Sequence, residues 1–178
     1  MNIFYIDHDP VKAARMMVDK HVVKMILESA QLLSTAHRLL DGFEFIGKTK
    51  TGRNAKRWEL HDAREPVVYQ ATHINHPSAI WCRASIENYN WLVNHMFALM
   101  QEYTYRYDKK HKCDGDLSYM LSSPPHNLND YDWTPMPSCM DDEYKVSEDD
   151  PMINYRNYYR LGKKNLHKWT KREKPEWI

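Results

Sequence analysis

The stretch His21-Val22-Val23-Lys24-Met25-Ile26-Leu27-Glu28-Ser29-Ala30-Gln31-Leu32-Leu33-Ser34-Thr35-Ala36-His37-Arg38 decides how this chain is read. Its polar members His21, Lys24, Glu28, Gln31, Thr35 and Arg38 recur at spacings of 3, 4, 3, 4 and 3, which sets them in one stripe along a single helix face. Most of the remaining circumference is Val, Met, Ile, Leu and Ala. An ordinary surface helix carries an apolar stripe on a polar body; here the proportions are reversed. A polar strip on a mostly buried helix must meet partners or line a cavity, because unpaired buried charge is costly. This strip is the first place to look for chemistry.

Upstream, Asp9-Pro10 supplies an N-cap and a first-turn proline, so a helix is expected from there to about Asp41-Gly42, with a break near Val18-Asp19. Downstream, residues 43–60 read as polar and irregular, with Gly47, Gly52 and a basic cluster of Arg53, Lys56 and Arg57. A short helix or turn is expected before Pro66 and another over Val67 to Thr72. Asn75-His76-Pro77 opens a long helix to about Tyr107, its apolar positions Ala79, Cys82, Ile86, Tyr89, Val93, Met96, Met100 and Tyr103 keeping helical spacing, and Glu102 can pair with Arg106. Residues 108–148, with Pro124, Pro125, Pro135 and Pro137, read as a long loop holding one short helix near Leu117 to Leu121. Asp150-Pro151 repeats the capped start, and a helix continues to about Trp169. Strand is limited to Ile3 to Ile6 at most. The expectation is a mainly α, single-domain helical bundle with long irregular loops, its main helices at about 10–41, 77–107 and 151–169.

The 178 residues, 42% hydrophobic and 12% aromatic, suit one globular domain rather than a disordered chain. A net charge of +1 does not announce a nucleic-acid binder, although a basic C-terminal run (Arg160, Lys163, Lys164, Lys168, Lys171, Arg172, Lys174) follows an acidic segment from Asp141 to Asp150. Cys82, Cys113 and Cys139 are three scattered thiols with no Cys-x-x-Cys pair, which argues against a disulfide framework and a thiolate metal site. With no leader-like N-terminus and no apolar run of membrane-spanning length, a cytoplasmic protein is expected.

Three constellations can carry chemistry. Lys24 and Glu28, one turn apart, form an amine–carboxylate pair suited to acid–base work or, through a desolvated lysine, to a Schiff base; a plain intrahelical ion pair worth a few tenths of a kcal/mol is the alternative. Asn75 and His76 at a helix start, with Arg83 about two turns on, can bind an anion, or simply cap the helix. Tyr155 and Arg156, among further tyrosines, suit stacking and phosphate contact, or a tyrosine-rich core. A metal site drawn from His73, His76, His61, Asp62 and His21 lacks any recognised ligand spacing. Glycine-rich phosphate loops and nucleophile-elbow motifs are missing from the sequence, so no cofactor is expected.

Lys24-x-x-x-Glu28-Ser29-x-Gln31-Leu32-Leu33, preceded by Ala14 and Asp19 and followed by Asn75-His76-Pro77, Trp81, Arg83 and then Arg156-Asn157, resembles the pyrimidine-dimer DNA glycosylase (endonuclease V-like) family. With Pro175-Glu176-Trp177, the layout also looks like a phage-encoded branch. Residues 43–65 and 108–148 have no counterpart in that pattern. The resemblance implies an all-α enzyme that flips a nucleotide from duplex DNA and breaks its glycosidic bond, with or without nicking the strand. Glu28 matches the family's essential carboxylate. Arg83 and Arg156 would hold phosphates, and Asn75 and His76 would line the pocket; His21 and Gln31 on the polar stripe are further substrate- or DNA-binding candidates, as is Tyr155. The best-studied members attack with the amine of a small second residue; here that residue is Asn2, which leaves the Met1 amine or Lys24 and points to a monofunctional glycosylase.

The leading expectation is therefore a DNA N-glycosylase, a hydrolase of the host cytoplasm if phage-encoded, acting on a damaged or modified pyrimidine in duplex DNA. Its rivals are an N-glycosidic or base-modifying enzyme for free nucleotides, which the modest charge suits, and a nucleotide- or nucleic-acid-binding accessory protein without turnover.

Overall fold

A computed structural model describes residues 1–178. Six helices, α1 (Pro10–Met16), α2 (Asp19–Asp41), α3 (Pro77–Cys82), α4 (Ile86–Tyr107), α5 (Asp116–Leu121) and α6 (Pro151–Gly162), surround one continuous apolar core, and the only sheet is the two-stranded antiparallel hairpin β1 (Phe43–Lys48) and β2 (Asn54–Glu59). The chain is mainly α and forms one compact domain. No helix is long and apolar enough to cross a membrane.

The caps expected from sequence form. Asp9 Oδ1 accepts the Val11 and Lys12 amides at 2.8 and 3.1 Å, and Asp150 Oδ1 accepts Met152 N–H at 2.8 Å. The expected break near Val18-Asp19 is real, and its cause lies on α4. Buried Arg106 donates to Met17 O (2.8 Å) and Arg15 O (2.9 Å), and Trp169 Nε1 donates to Met16 O (2.8 Å). The carbonyls that end α1 are thus satisfied without further helix. Arg106 also pairs with Asp19 and, as its i,i+4 spacing suggested, with Glu102, each at 3.1 Å. Glu102 and Asp19 then bind the tail through Arg172 and Thr170.

Four expectations need correction. The helix expected over 77–107 divides, because Ser85 turns extended and its hydroxyl caps α4 by accepting Asn88 N–H at 3.2 Å. The helix expected to Trp169 stops at Gly162 and gives way to a single 3₁₀ turn, Lys164–Leu166. Residues 67–72 form no helix; instead their carbonyls and amides serve α2, as described below. The strand belongs at 43–59, not at 3–6. Ile3 to Ile6 are all buried but pair with no strand, and Phe4 sits at φ +57°, a left-handed conformation uncommon for a bulky residue. The short helix near 117–121 is α5.

The polar stripe is sealed toward the C-terminal end of α2. Thr35 Oγ1 exchanges hydrogen bonds with Thr72 O and Thr72 N–H at 3.2 and 3.1 Å. Arg38, fully buried, donates to the carbonyls of Trp58, Glu65, Val68 and Tyr69 at 2.9–3.2 Å and to the Glu65 carboxylate. Removing it strands four carbonyls. Arg38→Ala should therefore cost about 3–5 kcal/mol in urea denaturation; a loss under about 1 kcal/mol would show that this staple is dispensable.

Candidate functional site

Only the middle of the α2 stripe reaches solvent. Lys24 is 68% exposed and its Nζ lies 3.0 Å from Glu28 Oε1, while the Glu28 side chain is only 12% exposed. Glu28 Oε2 accepts the Asn2 main-chain N–H at 3.0 Å. The carboxylate is thus held between an amine and an amide in a half-desolvated setting, where charge–charge effects exceed those in open water. Gln31, half-buried, stands one turn further along.

Asn2 links this pair to a cleft. Its side-chain amide donates to Cys139 O at 2.7 Å, and the cleft of about 340 Å³ beside it is walled by His76 and Pro77 on one side and Pro137 to Asp141 on the other. Glu28 stands behind Asn2 and does not itself wall the cleft, so the stripe does not floor one continuous hollow as its periodicity suggested. The opposing wall is firmly held. The buried Tyr155 hydroxyl donates to Pro137 O (2.9 Å) and accepts Cys139 N–H (3.2 Å), and Ser78 Oγ lies 3.5 Å from Cys139 Sγ. A larger polar trough of about 710 Å³ meets this cleft at Ser138, but the side chain of its floor residue Asn154 is fully engaged by Val146, Ser147 and Ser138.

His76 caps α3, its Nδ1 accepting Ser78 N–H at 3.1 Å, which leaves the proton of the neutral ring on Nε2. Burial, then the Met1 ammonium and His73, lower its pKa from the ordinary 6.5, with Glu28 opposing. The ring is therefore neutral at pH 7, and Met1, Glu28 and His76 form one electrostatic neighbourhood. Sequence reasoning weighed Asn2 only for its size and gave Cys139 only a thiol's role. Their bridging is a contact across 137 residues with no local signal.

The remaining candidates lie elsewhere or serve the frame. His21 is buried, stacked on Phe4 (centroids 4.1 Å apart) and bonded through Nδ1 to the Tyr159 hydroxyl at 2.7 Å. Tyr155 reaches the cleft only through the loop it holds. Arg156 donates to Ile6 O (2.8 Å), pairs with Asp7 (3.1 Å) and lies over Trp177, pinning the N-terminal segment that delivers Asn2 to Glu28. Arg83 Nη2 donates to Ile74 O at 2.7 Å, while its buried Nη1 has no partner. Exposed Asn75 adjoins His76, but α3 has only six residues and the His76 ring already occupies one of its free amides, so the expected helix-end anion site is weak. The histidines weighed as metal ligands are dispersed; no three His, Cys, Asp or Glu side chains converge.

No protein-family model matches the chain, nor does any curated protein or solved structure.

Burial, and after it the charges of Lys163 and Lys24, depress the His21 pKa to about 3 from 6.5. Below pH 6.5 the unfolded chain takes up a proton that the folded chain refuses, so this contribution is complete above about 6.5 and is lost as pH falls toward 3. Between pH 7 and 5 it removes about 2 kcal/mol. His21→Phe should flatten the pH dependence of urea-measured stability by about that amount; an unchanged slope would contradict the neutral, sealed imidazole.

Proposed function

We propose that this chain is a DNA N-glycosylase acting on a damaged or modified pyrimidine, with Glu28 as its essential carboxylate. The observation that carries the reading is the Glu28 carboxylate, 12% exposed, held between the Lys24 amine and the Asn2 amide and connected through Asn2 to a cleft of about 340 Å³. That volume suits a single flipped base rather than a duplex. The motif resemblance to pyrimidine-dimer glycosylases supports the same assignment.

In this mechanism the C1′–N bond breaks with its electron pair leaving on the base, which takes up, in the overall hydrolysis, the proton that the attacking water gives up. The cationic character that develops on the sugar is stabilised by the Glu28 carboxylate. Attack by water at C1′ completes hydrolysis. Attack by an amine instead gives a Schiff base, the entry to strand nicking, and Lys24 is the side-chain amine within reach of Glu28. His76, neutral with its proton on Nε2, can donate a hydrogen bond to an acceptor on the base.

A second reading, N-glycosidic cleavage of free nucleotides, is favoured by the net charge of +1. Duplexes carrying a pyrimidine dimer, uracil or an oxidised pyrimidine, assayed beside the matching nucleotides, separate the two. Duplex excision with a single-turnover rate 10²–10⁴-fold lower in Glu28→Gln is expected. Full activity in Glu28→Gln would refute the carboxylate's role, and binding without turnover on every substrate would leave a nucleotide-sequestering protein. Borohydride trapping should yield a covalent adduct only if an amine attacks; its loss in Lys24→Ala assigns that amine, and its persistence assigns Met1.

A further inference from the structure

Arg156 and, in part, Arg83 are spent on main-chain carbonyls, so the phosphate contacts that a duplex substrate needs must come from other groups. The β1–β2 hairpin, which has no counterpart in the family pattern, carries the charge such contacts require. Residues 43–59 hold five basic side chains, Lys48, Lys50, Arg53, Lys56 and Arg57, against Glu44 and Glu59, leaving twenty basic and twenty-two acidic residues for the rest of the chain. The near-neutral total thus conceals a cationic arm on an otherwise slightly acidic body. Lys56 is paired with Glu44 at 2.8 Å and Lys48 is bonded to Asn54, but Lys50, Arg53 and Arg57 have no acidic partner.

The arm's shape matches its charge. The register runs from Phe43↔Glu59 to Lys48↔Asn54, and the turn between is closed by Thr49 N–H to Arg53 O at 2.8 Å, with Gly52 at φ +81° where a side chain would be strained. Six paired residues per strand extend about 20 Å. Only the base is anchored, by buried Trp58 and by Arg38 Nη1 on its carbonyl. Phe45 and Arg57 face each other across the strands and close over Gly47, where a Cβ would fall 2.9 Å from Arg57 Cγ. Phe43, Phe45 and Ile46 are exposed.

The arm's base is fastened to α2. Arg38 belongs to the same α2 stripe as Lys24 and Glu28, so the hairpin is fastened to the helix face that carries the candidate site. Ten residues separate Glu28 from Arg38, about 15 Å along the axis, which is less than half a turn of B-form DNA.

We propose that this hairpin is a DNA-binding arm. It lays its two strands along the major groove beside the flipped nucleotide, with Lys50, Arg53 and Arg57 on phosphates and Phe43 and Phe45, which share one face of the ribbon, toward base edges. The major groove admits a two-stranded ribbon of this kind. The inference rests on the reading of duplex DNA as substrate and names the surface that recognises it.

The test is the salt dependence of binding to an undamaged duplex of 20 base pairs, followed by fluorescence anisotropy for the full chain and for the triple variant Lys50→Ala, Arg53→Ala, Arg57→Ala. Each lost phosphate contact lowers the log–log slope by about 0.9. The variant should therefore lose about 2–3 in slope and bind at least tenfold more weakly at low salt, with unchanged circular dichroism. The double variant Lys50→Ala, Arg53→Ala, confined to the exposed turn, should lose about 2 and guards against a folding defect at Arg57. If the unaltered protein binds duplex and the variants match its slope, the arm is refuted while the DNA reading stands. If the unaltered protein binds no duplex, the DNA reading fails and takes the arm with it. If binding persists in the variants but Phe43→Ser with Phe45→Ser abolishes association with another protein instead, the face belongs to a protein partner and the proposal is wrong.

Discussion

The polar groups that α2 turns inward have to be met by partners, some from side chains of α4 and α6 and the rest from main chain between helices, and this constraint organises the molecule. The helix is buried over most of its surface, and water is not available to its stripe except near the middle. Arg38 therefore draws in Trp58, Glu65, Val68 and Tyr69 through their carbonyls, and Thr35 draws in Thr72. At the other end His21 is closed off by Phe4 and Tyr159. The irregular stretches that lie between helices in sequence are held in place as hydrogen-bond partners for α2: the chain makes one turn through residues 63–67 and then runs on to residue 72 without helix. A buried amide or guanidinium left unpaired would cost more than a short helix there could return.

Glu28 is the exception, the one carboxylate of the stripe and one that keeps partial contact with solvent. Its partners are a surface lysine and the second residue of the chain, and the latter is delivered by an N-terminal segment threaded through the core. That segment has a left-handed residue at Phe4 and is fastened by Arg156 at Ile6 and Asp7. Tyr155, one residue earlier on α6, secures the far wall of the cleft. One helix thus sets both the carboxylate's neighbour and the cleft's opposite side, an arrangement in which the site is positioned by packing before any ligand arrives. Arg156 is committed to this framework, whereas three basic side chains of the hairpin have no acidic partner, which is why the proposed contact with DNA phosphates is assigned to the hairpin.

Local signals were legible in the sequence, and long-range ones were not. The spacing of polar residues along 21–38 identified α2, and Asp9 and Asp150 announced two helix starts that the structure places there. The chain's break after Met16 showed as a suspicion, but its cause, Arg106 on another helix, had no local trace. The hairpin escaped notice because both its faces are partly solvated: Phe43-Glu44-Phe45-Ile46 and the mixed run Asn54 to Glu59, with Thr51-Gly52 at the turn, read as an irregular basic stretch when no strand face is plainly apolar. Ile3 to Ile6 misled in the opposite sense, since aromatic and β-branched residues buried on all sides look like strand whether or not a partner strand exists. Of the candidate residues, Lys24, Glu28 and His76 were singled out from their motifs, whereas the linking role of Asn2 arises from a contact 137 residues away and the wall at Pro137 to Asp141 is held by Tyr155 of a later helix.

The central claim, that Glu28 and the adjoining cleft work as one site on a nucleotide turned out of DNA, is tested most directly by a crystal structure of the protein bound to a duplex containing a stabilised abasic-site analogue. The account predicts the extruded sugar between Asn2 and His76 with its C1′ position facing the Glu28 carboxylate, and the orphaned strand held against the hairpin. A complex in which Glu28 remains capped by Asn2 with no sugar near it, the nucleotide lying elsewhere on the surface, would contradict it.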